Sequence, residues 1–148
     1  MAIPDNNLGL TFDAELELKD AYLVASSAAA QVDSSNKIVT VGNAVFMGVA
    51  VIDVSAIEVD SSNEVFDIII QGSTSPTFAS GIENLAAISL APNAVRDGGA
   101  ITSTTGRYLL LFINVQDSVT YPYLRAYTKV AGTIATGINY AAWIGKKF

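Results

Sequence analysis

From Tyr123 onward the chain alternates, with Tyr123, Arg125, Tyr127 and Lys129 on one face and Leu124, Ala126, Thr128 and Val130 on the other. A period of two marks a strand with one face buried and the other turned to water or a partner. Tyr108 to Val115 is apolar on both faces up to Asn114, which predicts a mid-sheet strand covered on both sides. Ile138 to Ile144 places Ile138, Tyr140, Ala142 and Ile144 on one face. Between the last two segments, Gly132-Thr133 and Thr136-Gly137 bracket a short turn, so this pair is expected to form a hairpin. These three strands supply much of the expected core.

Upstream, Lys37 to Val41 reads as a short strand and Asn43 to Val54 as a longer one buried on both faces. Gly48 inside the latter predicts a bulge or a close backbone contact. Glu64 to Gln71 sets Phe66, Ile68 and Ile70 on one face, and Leu85 to Leu90 is a further strand. Val32-Asp33-Ser34-Ser35-Asn36 recurs as Val59-Asp60-Ser61-Ser62-Asn63 ahead of strands; Asp, Ser and Asn favour tight turns, and the calcium-loop reading lacks the glycine and the carboxylate ladder it needs. Gly72 to Gly81 is a loop with Phe78 as an apolar plug, and Ala91 to Thr105 is the longest irregular stretch. A loop of that length is either functional or a tolerated surface excursion.

Residues 1–20 read as an extended arm, because Pro4, Asp5, Asn6, Asn7 and Gly9 are coil formers. Leu16 and Leu18 alternate with Glu15, Glu17 and Lys19, which suggests a short edge strand with a charged outer face. A helix over Asp13 to Gln31 is the rival reading, weakened by the composition of Val24 to Ser27. The whole pattern, about eight short strands with turn chemistry between them, is that of an all-β, single-domain jelly-roll sandwich over residues 21–148, preceded by the arm.

Composition narrows the functions. The 148 residues suit one domain, and only 15% are charged, so the surface is either rich in small polar residues or covered by another protein. A net charge of −6 argues against non-specific nucleic-acid binding. The absence of cysteine removes disulfides and thiol chemistry, and the absence of histidine removes the commonest general base and metal ligand. The N-terminus lacks the basic and apolar regions of a signal peptide, and no run approaches the roughly 20 apolar residues of a membrane span. A protein kept or assembled in a cytoplasm is expected.

No catalytic constellation emerges. Without histidine a serine nucleophile needs a lysine base, and the one S-x-x-K match, Ser34 to Lys37, lies in the turn-forming Asp-Ser-Ser-Asn segment. Asp53, Glu58, Asp60, Glu64 and Asp67 could pair as carboxylates, but sequence does not set their separation. Asp67, in an apolar strand, is expected to form a buried ion pair with a basic residue such as Arg107 or Arg125. Tyr121, Tyr123, Tyr127, Tyr140 and Trp143 suit core or subunit interface, and alternatively a sugar-stacking platform. The expectation is a non-enzyme without cofactor, metal or small-molecule substrate.

The strand Glu64 to Gly72 with the following Ser73-x-Ser75-Pro76-Thr77-Phe78, then Gly106-Arg107-Tyr108, Tyr121-Pro122-Tyr123-Leu124-Arg125, Ala131-Gly132-Thr133 and Thr136-Gly137-Ile138, resembles the jelly-roll capsid cement (decoration) proteins of tailed bacteriophages, the type found on Bordetella phage shells. Asp20 to Val24 fits the start of the pattern, so the resemblance spans roughly residues 15–145. It implies a β-sandwich that forms homodimers or homotrimers and sits on the virion's capsid exterior, assembled in the host cytoplasm. There it would bridge major capsid protein subunits and stabilise the shell. The family has no catalytic residues to carry over, and the acidic stretch Asp13 to Asp20 departs from its shorter members. Three contact surfaces are candidates: the arm with Asp13, Glu15 and Glu17, the long loop with Arg96 and Asp97, and the strand face with Arg125, Tyr127 and Lys129. A carbohydrate-binding jelly roll for host adhesion is the alternative.

Overall fold

Alternating segments pair into two antiparallel sheets in the computed structural model, which describes residues 13–146. A 3-10 turn, Ala14–Leu16, leads into β1 (Glu17–Val24). The short strands β2 (Ala28–Ala29), β3 (Gln31–Val32), β4 (Ser35–Asn36) and β5 (Val39–Thr40) follow. Next come the long strands β6 (Met47–Ile57), β7 (Val65–Ser73), β8 (Ile82–Leu90) and β9 (Gly106–Ile113). A small hairpin of β10 (Val115–Gln116) and β11 (Val119–Thr120) precedes β12 (Tyr123–Ala131) and β13 (Ile138–Lys146). No α-helix occurs among the described residues; the helical rival for Asp13 to Gln31 reduces to the single 3-10 turn.

One sheet, A, runs β1-β13-β6-β9, and the other, B, runs β2-β12-β7-β8 with β5 on the same edge of β12 as β2. Taken as one strand interrupted by the β3–β4 hairpin, β2 and β5 complete a frame whose sheets read first-eighth-third-sixth and second-seventh-fourth-fifth in chain order. That is jelly-roll topology. The core lies between the sheets, where Phe66, Ile68 and Ile70 of β7, Leu124 and Ala126 of β12, and Ile138, Tyr140 and Ile144 of β13 are fully buried. Each large apolar side chain so buried contributes roughly 1.5–3 kcal/mol. Gly48 makes the close contact expected of it: a Cβ there would sit 2.9 Å from the Phe46 ring and 3.0 Å from that of Phe112.

Three expectations fail for physical reasons. The strand from Tyr108 is an edge strand, β9, and not a mid-sheet one; its run of leucines supplies an apolar outer face, with Leu111 68% exposed, while β6 takes the central place. β12 and β13 are no hairpin, because β12 pairs in sheet B and β13 in sheet A, and residues 132–137 cross between the layers. Lys19 lies inside and not on a charged outer face: the β1–β13 register shifts on either side of it, so Leu18 and Lys19 are both buried. Of the expected arm, residues 1–12 lie outside the described residues, and the sandwich begins at Glu17, within residues 1–20.

Candidate functional site

The two outer faces differ in chemistry. On sheet B, the outward residues of β12 and β7 build a polar network. The Arg125 Nε donates to Gln71 Oε1 at 2.8 Å, and the Gln71 amide donates to Asn84 at 3.0 Å. The Arg125 guanidinium lies 4.4 Å from the Phe78 ring and 5.6 Å from that of Tyr127, so the loop plug Phe78 is clamped against the sheet by a cation–π contact. Lys129 is exposed and stands opposite Asp67 in register. The ion pair expected of Asp67 with an arginine is not formed: Arg107 bridges Asp53 at 2.7 Å on the other sheet, and Arg125 is held by Gln71. Desolvation by Phe78 and its neighbours draws the Arg125 pKa below its ordinary value.

On sheet A the outward positions are apolar through the centre and towards one end, with the Asp53–Arg107 ion pair towards the other. Val49 and Val51 of β6 pack with Leu109 of β9 and Trp143 of β13, and Arg107 stacks 5.3 Å from the Trp143 ring. Towards one end this face continues through Leu111, Ile113 at 40% exposure and Met47 at 70%. An open hollow of ≈ 340 Å³ lies there, lined by Met47, Gly48, Val49, Leu85, Leu111 and Phe112, among others. Sequence reading missed this surface because it assigned the β9 leucines to the interior. The unbroken apolar run was the available signal, and only sheet position distinguishes double burial from an apolar outer face.

The candidate residues fall in three separate places. Asp13 caps the 3-10 turn by accepting the Glu15 N–H at 2.9 Å, and Glu17 pairs opposite Trp143, at the Met47 end of sheet A. Arg96 and Asp97 lie in the β8–β9 loop, at the opposite end of the sandwich, since that loop joins Leu90 to Gly106. The loop is braced internally: Ser103 Oγ accepts the Ala91 N–H at 3.0 Å, and Arg96 donates to the Ile101 carbonyl at 3.0 Å. Arg125, Tyr127 and Lys129 share the sheet B face, as alternation predicts. The aromatics do not form one platform: Tyr140 and Tyr121 are buried, Trp143 lies on sheet A, and Tyr123 and Tyr127 lie on sheet B.

Carboxylates and the buried amine serve the scaffold. Glu58 accepts N–H groups of Thr136, Ala135 and Gly137 and the Thr136 hydroxyl, which ties down the crossover between sheets. Those donors, Thr136 foremost, hold its pKa down at about 2. Glu64 accepts the Ser61 and Asn63 N–H groups within the second copy of the Asp-Ser-Ser-Asn turn. In the first copy Asp33 and Ser34 take positive φ of 52° and 63°, the tight-turn role expected of them. Lys19 Nζ donates to the carbonyls of Tyr140 at 2.6 Å and of Asp20 and Tyr22 at 3.0 Å, and lies 3.6 Å from the Tyr22 ring centroid. Burial pushes its pKa down to about 7. Nearby, the Tyr140 and Thr128 hydroxyls bond each other in the core.

Among the described residues no group of three or more His, Cys, Asp or Glu side chains could hold a metal ion, and no helix is long and apolar enough to cross a membrane. No protein-family model matches the chain, and no curated protein is significantly similar to it in sequence. What the fold presents is two unlike outer faces, one with an exposed apolar area and one with a hydrogen-bonded polar row.

Proposed function

We propose that this chain is a structural virion protein, a capsid cement or decoration protein that binds the outer face of a tailed-phage shell and bridges major capsid protein subunits. The observation that carries the reading is the asymmetry of the two sheets. Sheet A turns Met47, Leu111 and Ile113 outward, whereas sheet B turns outward the hydrogen-bonded Arg125–Gln71–Asn84 row. A domain whose apolar face rests on a protein surface, and whose polar face meets water, has this division. The resemblance of the strand and loop motifs to cement proteins supplies the particular partner. In this reading the protein is not an enzyme and needs no cofactor. Repeated attachment on a symmetric lattice makes modest single contacts sufficient for firm binding.

The test is co-sedimentation of the purified protein with expanded shells that lack it, over a series of salt concentrations. Saturable binding at a fixed ratio to capsid subunits is expected. Because the contact is apolar, binding should persist at high salt, where charge-driven attachment fades. Met47→Asp should reduce occupancy while leaving the thermal transition in place. Absence of binding by the folded wild-type protein would refute the cement reading.

A further inference from the structure

Natural sheets protect their edge strands, because a row of unpaired N–H and C=O groups invites another strand. Among the described residues, three of the four sheet edges are protected. β1 is irregular, with register shifts on both sides of Lys19, and the β3–β4 hairpin ties onto it: the Asp33 N–H donates to Asp20 at 2.7 Å and the Gln31 N–H to the Tyr22 hydroxyl at 2.8 Å. The edge formed by β2 and β5 consists of two-residue pieces. The register of β8 shifts near its start, and there Gln116 of the β10–β11 hairpin donates to Glu83.

β9 is different. Its register with β6 is unbroken from Ile113 to Gly106, and Tyr108 to Ile113 contains neither charge nor proline. Its inward residues Tyr108 and Leu110 pack against the core and are nevertheless only half-buried. The residues also read alike in both directions about Leu110: aromatic, Leu, Leu, Leu, aromatic, from Tyr108 to Phe112. A strand with that pattern is complementary to itself in antiparallel pairing.

We propose that the chain forms a two-fold dimer in which β9 pairs antiparallel with β9 of a second copy about an axis through Leu110. Two four-stranded sheets then join into one. On the outer face Leu109 of each copy stands opposite Leu111 of the other, and on the inner side Tyr108 stands opposite Phe112. Directly opposed side chains approach to roughly 5 Å between Cβ atoms, so both pairs are in contact. A two-fold interface of this kind is closed, which satisfies the edge without open-ended assembly. The apolar outer face becomes continuous across both copies. The dimer does not depend on the capsid reading.

Sedimentation velocity of the full chain tests it, with a dimer of twice the 15.5 kDa chain mass expected at micromolar concentrations. Leu109→Lys/Leu111→Lys sets like charges opposite each other at two places and should weaken dimerisation by about tenfold or more. Leu109→Lys/Leu111→Glu sets each introduced lysine opposite an introduced glutamate and should restore most of that loss. A wild-type monomer, a trimer, or a dimer on which the two variants act alike would overturn the proposal. Amide exchange of the wild-type protein provides a reading that needs no variant: protection over Tyr108 to Ile113 should rise with protein concentration, and concentration-independent exchange there counts against the pairing.

Discussion

A single buried amine shows how much of this sandwich is decided at the residue. Among the described residues no carboxylate contacts the Lys19 Nζ, and Asp20 acts on it only through its charge; three backbone carbonyls and the faces of Tyr22 and Tyr140 surround it. Burial lowers its pKa from 10.5 to about 7, so across that window the unfolded chain holds a proton that the folded chain has released. Unfolding then takes up a proton, and stability rises with pH from about 7 towards 10.5 and is flat with respect to this group below about 7. Lys19→Met keeps the stem and removes the titration. Urea midpoints for the two proteins should diverge in their pH dependence over this window; parallel profiles would show that Lys19 keeps its proton. The core hydroxyl pair makes a second residue-scale prediction. Tyr140→Phe leaves the Thr128 hydroxyl without its buried partner and should cost about 1–3 kcal/mol. Tyr140→Phe/Thr128→Val removes both hydroxyls and should be less destabilised than the sum of the single changes. Strict additivity in denaturant unfolding would mean that the two groups do not act together.

At the scale of elements, the sequence was most legible where alternation is simple. The faces of β7, β12 and β13 follow directly from their periods of two, and the paired Asp-Ser-Ser-Asn segments are turns because these side chains suit them. Misreadings arose where a long-range contact overrides a local pattern. The glycines at 132 and 137 do mark a reversal, but Glu58 from the end of β6 gathers the N–H groups between them and turns the expected hairpin into a crossing between sheets. Lys19 was illegible because the bulge that turns it inward depends on pairing with β13. The crossover is correspondingly intolerant. Gly137 has φ +101°, and a Cβ there would lie 2.0 Å from the Val24 carbonyl oxygen. Gly137→Ala therefore combines backbone strain with a backbone clash and should cost roughly 3 kcal/mol or more. Gly98, in the long loop at φ +67°, has open space on that side: a Cβ added there would meet nothing within 4 Å. Gly98→Ala should therefore cost only about 1 kcal/mol. Equal losses in the two variants, measured by urea unfolding, would contradict the strained-crossover account.

For the whole molecule, the distribution of chemistry gives each end and face a separate role. The braced β8–β9 loop and the Glu58 and Glu64 turns gather at one end, and Asp13, Glu17 and the hollow beside Met47 lie at the other. Asp13, where the described residues begin, leads through the 3-10 turn into β1 at this end of sheet A, three strands across from β9. Neighbouring strands are spaced roughly 4.8 Å apart, and an extended chain advances about 3.3 Å per residue, so residues 1–12 are long enough to reach across that face or onto an adjoining subunit. The described core is closed without them: β1 is paired along β13, and Asp13 caps the turn that precedes it. Deletion of residues 1–12 should accordingly leave the thermal midpoint within about 2 °C of wild type, because it removes none of the contacts of the described core. In the cement reading it should nevertheless lower occupancy on expanded shells. Both quantities come from one preparation: a melting curve and a co-sedimentation isotherm. An unchanged isotherm would take the arm out of the attachment and leave the apolar face of sheet A to carry it; a large drop in the midpoint would show instead that residues 1–12 belong to the fold.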